Sequence, residues 1–169
     1  MARRRVVFGA SSITVELFGA ILRLVPEGGT ILELGSGRVS PLWVDCGLRC
    51  VSIEHDEEWC GLFPGVEYRH VPITGTWYDR AGFREAVQGV QYDLLLVDGP
   101  PGQRGAPTSR LGLLDELDRL DRTKPVAIDD VERPAEARLA EEVRSWLGSR
   151  ASISLRRGRR HHSVVLLPS

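Results

Sequence analysis

The chain has 169 residues, 42% of them hydrophobic and 27% charged, and a formal net charge of −1. This is the composition of a folded domain rather than a disordered chain, and the length fits one core over residues 1–169. So small a net charge provides no overall field for nucleic acid or an anionic membrane surface, and no apolar run approaches bilayer length.

The elements follow in chain order. Ser11 or Ser12 is placed to cap a helix whose apolar face is Leu17, Phe18, Ile21, Leu22 and Val25, ended by Pro26 to Gly29. Thr30 to Leu34 is a short apolar strand. A helix from about Ser40 to Cys46 stops at Gly47, and Arg49 to Ile53 is the second strand. Asp56 to Leu62 has the pattern of a short helix, closed by Pro64 and Gly65, and Val66 to Val71 is the third strand. Trp77 and Tyr78 lie in a loop, either to stack on a ligand or to plug the sheet edge.

Arg80 to Val87 is helical in pattern, and Tyr92 to Val97 is the continuous apolar run of a strand covered on both faces. A loop rich in glycine and proline runs from Asp98 to Pro107. Leu111, Leu114, Leu117 and Leu120 mark a helical stripe, Lys124 to Ile128 a fifth strand, and Pro134 to Leu147 a helix. Strands around Ile153 and Val164 close the chain about Gly158. Strands that alternate with helices in this way predict an α/β fold: a single doubly wound domain with a mostly parallel seven-stranded sheet and a reversed last strand.

Cys46, Cys50 and Cys60 form a sparse, odd set, unsuited to a disulfide framework and without the spacing of a zinc knuckle. Structural thiols in a reducing compartment are expected, and with them a cytoplasmic protein.

Ile31-Leu32-Glu33-Leu34-Gly35-Ser36-Gly37 joins an apolar strand to a glycine turn that opens the next helix. Glycine there lets backbone approach a ligand closely. About twenty residues on, the second strand ends in Glu54, where α/β folds place an acid on ribose hydroxyls. The two together point to a nucleoside site, with His55 flanking it.

Here the sequence resembles the class I S-adenosylmethionine-dependent methyltransferases. Glu33-Leu34-Gly35-Ser36-Gly37 is similar to their first motif, Glu54 to their ribose acid, and the terminal hairpin to their reversed last strand. Val39 stands where many members carry a third glycine. The resemblance implies S-adenosylmethionine as cofactor, held by Glu33, Gly35, Ser36, Gly37, Glu54 and His55, with Glu33 near the methionine ammonium. A nicotinamide dinucleotide fits less well, because Ser40 replaces the last glycine of that fingerprint and the chain scarcely has room for a second nucleotide half. A non-catalytic nucleoside-binding module is the remaining alternative.

At the substrate end, Asp98 and the pair Asp129-Asp130 each follow an apolar strand, and those strands are expected side by side. Three such acids are the oxygen ligands that Mg²⁺ prefers, and metal-dependent O-methyltransferases look similar at these places. The acids can equally cap helices or pair with Arg104, Arg110 and Arg133. O-methylation requires a proton acceptor or a metal, and Asp98, His161 and His162 are the catalytic candidates. Arg157, Arg159 and Arg160 flank Gly158 near Arg104, Arg110 and Arg133. Arginines beside a cleft attract carboxylates and phosphates, so the expected acceptor is a small anionic molecule, with nucleic acid and membrane not expected.

Overall fold

The computed structural model of the chain describes residues 13–102, 108–157 and 161–169. Seven strands form one sheet: β1 (Thr30–Leu34), β2 (Arg49–Glu54), β3 (Val66–His70), β6 (Leu94–Val97), β7 (Val126–Ile128), β8 (Ala151–Arg157) and β9 (His161–Leu167). Their order across the sheet is β3-β2-β1-β6-β7-β9-β8. All are parallel except β9, which runs antiparallel to both β7 and β8. The predicted sheet and its reversed last strand are therefore present.

Period-two alternation divides the sheet's side chains between two cores. Ile31, Cys50, Leu94, Leu96 and Val165 face one side, where α1 (Val15–Leu24) and α2 (Ser40–Asp45) bring Leu17, Ile21 and Trp43. Leu32, Leu34, Ile53, Leu95, Val97 and Ile128 face the other, against α3 (Arg80–Val87) and α4 (Pro134–Leu147). Burial on both faces explains why YDLLLV carries no polar alternation.

Three local readings change. Ser11 and Ser12 lie outside the described residues; the cap is Thr14, whose Oγ1 accepts from the Leu17 amide at 3.1 Å. Asp56 to Leu62 forms no α-helix but successive turns, with the Trp59, Cys60 and Leu62 amides each donating three residues back. Arg110–Arg119 winds as 3₁₀ turns. Its three-residue period puts Arg110, Leu113 and Glu116 in the buried row, while Leu111, Leu114 and Leu117 are only partly covered. Glu116 is satisfied there by Arg84 Nε at 2.8 Å and Arg80 at 3.0 Å.

Trp77 and Tyr78 form a small hairpin, β4 (Ile73–Thr74) with β5 (Trp77–Tyr78), and both rings are buried against Phe83. They plug the core. Among the thiols, Cys50 is buried but Cys46 is exposed.

The sheet's two halves diverge between β1 and β6, and the loops that leave these strands meet there. Gly35 has φ +84°, and a Cβ on it would lie 2.7 Å from Gly99 Cα. This glycine is required by the backbone opposite as well as by its own turn. Gly37 has open space within 4 Å of such a Cβ. Gly35→Ala should therefore destabilise the fold by about 1–3 kcal/mol from backbone strain alone, whereas Gly37→Ala should leave urea and thermal midpoints almost unchanged; equal effects of the two substitutions would contradict this packing.

Candidate functional site

Ligands in open α/β sheets bind beyond the carboxyl ends of the strands, where the order reverses. A cleft of about 880 Å³ opens there. A second depression, of about 970 Å³, lies between α3 with the loop after it and residues 118–121. It sits at the amino ends of β6 and β7, away from the convergence of acids and glycines.

The cleft has two ends. At the first, Glu33, Gly35, Ser36, Gly37, Glu54 and His55 all line the wall. The Glu54 carboxylate is buried and accepts three backbone amides: Ser36 at 2.6 Å, His55 at 2.7 Å and Asp56 at 2.9 Å. It thus joins the turns after β1 and β2. His55 Nδ1 lies 2.7 Å from Glu54 Oε1, though not aligned as a hydrogen bond. Trp59, not anticipated from the sequence, lines the same end.

Glu33 sits deeper. The Ser40 hydroxyl donates to it at 2.6 Å and accepts the Gly37 amide at 2.9 Å, so a single hydroxyl ties the turn to the acid. Trp43 Nε1 and the Cys50 thiol also point at this carboxylate. Burial outweighs these donors and raises the Glu33 pKa from 4.5 to about 7.

At the second end, β6 and β7 deliver their acids side by side. The Asp98 carboxyl is pushed well up by burial, against the pull of Arg110 and with Asp129 and Asp130 adding to the rise. Asp130 has φ +62°, the one described non-glycine residue in the left-handed region, a conformation that aspartate tolerates and that marks functional sites. Ser163 donates to Asp129 Oδ1 at 2.5 Å. His161 Nε2 lies 3.0 Å from Asp129 Oδ1 and 3.2 Å from Oδ2. The ring N–H therefore belongs on Nε2, leaving Nδ1 as the proton acceptor.

His161 lines the cleft; His162 does not. Successive strand residues point to opposite faces, and His162 Nε2 instead meets the Ser154 hydroxyl at 2.8 Å. Burial and Arg156 lower the His162 pKa.

The residue that organises this end is Arg110, which is 3% exposed. Its Nε donates to the Pro100 carbonyl at 3.2 Å and one terminal nitrogen to the Asp129 carbonyl at 3.1 Å. The other terminal nitrogen donates to the Asp98 carbonyl and lies 3.3 Å from Asp98 Oδ1 and 3.2 Å from Asp130 Oδ2. Arg133 adds a second contact to Asp130 Oδ2 at 2.8 Å. The sequence showed Arg110 only as one charge among several, masked by the leucine stripe.

These contacts bear on the expected Mg²⁺ site. Of the described residues, Asp129, Asp130 and His161 hold ligand atoms within 4.8 Å of one another; Asp98 is outside that group. Two of the three acids expected to bind the ion, Asp98 and Asp130, already face a guanidinium. The set does not fit the predicted Mg²⁺ ligation. Arg104, Gly158, Arg159 and Arg160 lie outside the described residues.

Glu33 makes the site titrate against the fold. Its folded-state pKa is raised, so its contribution to stability is greatest below pH 4.5 and is lost as pH rises through about 7. The loss should total about 3 kcal/mol. Glu33→Gln should be more stable than the parent above pH 7 and lose that advantage in acid. Thermal unfolding across this range checks it, and a constant difference would contradict the buried-acid account.

No family model matches the chain, and no curated protein sequence matches it. Solved structures do. A TehB-like SAM-dependent methyltransferase from Corynebacterium glutamicum superposes with a TM-score of 0.60 at 15% identity, covering 95% of this chain and 91% of that one. A methyltransferase from Pyrococcus furiosus gives 0.56 at 17% identity, with 95% and 87% covered. The Bacillus subtilis M1A22 tRNA methyltransferase TrmK gives 0.52 at 14% identity, with 94% and 67% covered. The chain has the Rossmann-like fold of the class I S-adenosylmethionine-dependent methyltransferases.

Proposed function

We propose that the chain binds S-adenosylmethionine at the Gly35–Glu54 end of the cleft and transfers its methyl group to a hydroxyl of a small anionic acceptor at the Asp98–His161 end. The observation that carries this is the single cleft at the sheet's reversal point, with the glycine turn and strand-end acid on one side and a histidine–carboxylate pair on the other. The likeness of fold supports the choice of cofactor. It does not select the acceptor, since the similar structures include enzymes named for tRNA and for precorrin.

The cofactor supplies an electrophilic methyl group. The chain supplies placement and proton handling. Gly37 leaves its Cα side open for close approach, and Glu54 offers ribose hydroxyls a carboxylate already held by three amides. Ionised Glu33 balances the amino-acid ammonium. His161 takes the acceptor's proton at Nδ1, while Asp129 orients the ring. Asp98 lines the same end of the cleft and is the second group offered to the acceptor hydroxyl. Alignment of the reacting groups provides most of the acceleration. Arg38 and Arg133 stand at the rim to attract an anion; Arg110, fully engaged with acids and carbonyls, does not. The same proposal places the protein in the cytoplasm; no helix among the described residues is long and apolar enough to cross a membrane.

Calorimetry with S-adenosylhomocysteine should show one saturable site, weakened by about 1–3 kcal/mol in Glu54→Gln, the scale of a lost charged hydrogen bond. Affinity should fall as pH drops through about 7, where Glu33 takes up its proton, and Glu33→Gln should bind weakly at every pH. Binding of NAD in its place would refute the assignment. Once a metabolite screen supplies an acceptor, His161→Ala should lower kcat by about 10²–10⁴-fold, the range for a general base, and His162→Ala should leave it nearly unchanged.

A further inference from the structure

We infer that the Arg110 guanidinium is a built-in cation that takes the place of a divalent ion at the Asp98–Asp129–Asp130 cluster, so that the site holds its acids in position without bound metal. The inference deepens the proposed methyl transfer and rests on it for its functional meaning, but its physical content is independent of the cofactor.

The donor set carries it. A guanidinium has five N–H groups in a fixed plane and cannot be neutralised. In Arg110 they reach the carbonyls of Asp98, Pro100 and Asp129 and the carboxylates of Asp98 and Asp130. Three backbone carbonyls and two acids from two loops thus converge on one positive centre, as oxygen ligands converge on a hard ion. Arg110 is 3% exposed and engaged along its whole guanidinium, so an ion entering here would have to displace a buried, fully bonded cation. Its backbone opens the 3₁₀ segment behind the Ser109 cap, and two residues on Gly112 packs against the Trp77 ring with no room for a Cβ, which fixes the start of that segment.

The other metal-like grouping is already occupied in the same sense. An ion between Asp129, Asp130 and His161 would have to break the His161–Asp129 contact. It would also face two guanidiniums on Asp130, at 3.2 Å from Arg110 and 2.8 Å from Arg133. Removing a buried cation leaves its acids uncompensated, a costly state that a metal ion would relieve.

The test uses the full-length protein with MgCl₂ and MnCl₂ as probes. Wild type should give no saturable heat with either ion and no rise in melting temperature. Arg110→Met keeps an apolar stem of similar length but leaves the acids unneutralised, and it should gain an ion-dependent rise. Saturable binding to wild type that is lost in Asp129→Asn would overturn the inference, as would a folded Arg110→Met variant indifferent to both ions. Should that variant not fold, the wild-type titration decides alone. Neither result depends on S-adenosylhomocysteine binding, so failure of the cofactor assignment would be separately visible.

Discussion

The Asp98–His161 end of the cleft depends on one buried charge. Loops leaving β6 and β7 must come together over the sheet for the cleft to exist, and each brings carboxylates that repel one another. A single guanidinium, 3% exposed, reconciles them by binding backbone and acid from both loops. Buried pairs of this kind add little net stability, because desolvation cancels most of the attraction. Their effect is positional. Asp130 is held with φ +62°, and Asp98 and Asp129 emerge at fixed places beside His161.

The Gly35–Glu54 end uses a different device. There the acids bind backbone amides and hydroxyls: Glu54 joins two turns, and Glu33 reaches the glycine turn through Ser40. Each acid shapes the wall while keeping a carboxylate at the cleft. Glu33 carries the cost, since its burial raises its pKa into the neutral range. An acid that destabilises the empty fold when ionised is expected where a ligand's positive charge is to be received. The glycines divide the work similarly, Gly35 serving the contact with Gly99 and Gly37 leaving space.

Much of the fold was legible because strands buried on both faces are written as largely apolar runs, and LLLV, TILEL (broken only by Thr30 and Glu33) and the flanking helices carry that signal at close range. The site's first half was legible for the same reason: its residues sit at ends of recognisable strands. What escaped was set by three-dimensional contact. The Leu111-to-Leu120 spacing of three fits an amphipathic helix, yet the chain winds more tightly and turns Arg110 and Glu116 inward, where distant partners neutralise them. No local pattern announces an arginine whose partners lie ten to twenty residues away on two other loops. His161 and His162 were likewise indistinguishable until strand pleating sent one into the cleft and the other to Ser154.

The proposed methyl transfer requires the cofactor to lie across this cleft with its sulfur between the two ends. A crystal structure with S-adenosylhomocysteine soaked in tests that most directly. The predicted result places the ribose hydroxyls at Glu54, the amino-acid portion over Gly37 near Glu33, and the sulfur facing Asp98 and His161. Density elsewhere on the molecule, or a ribose turned away from Glu54 toward β7, would contradict it.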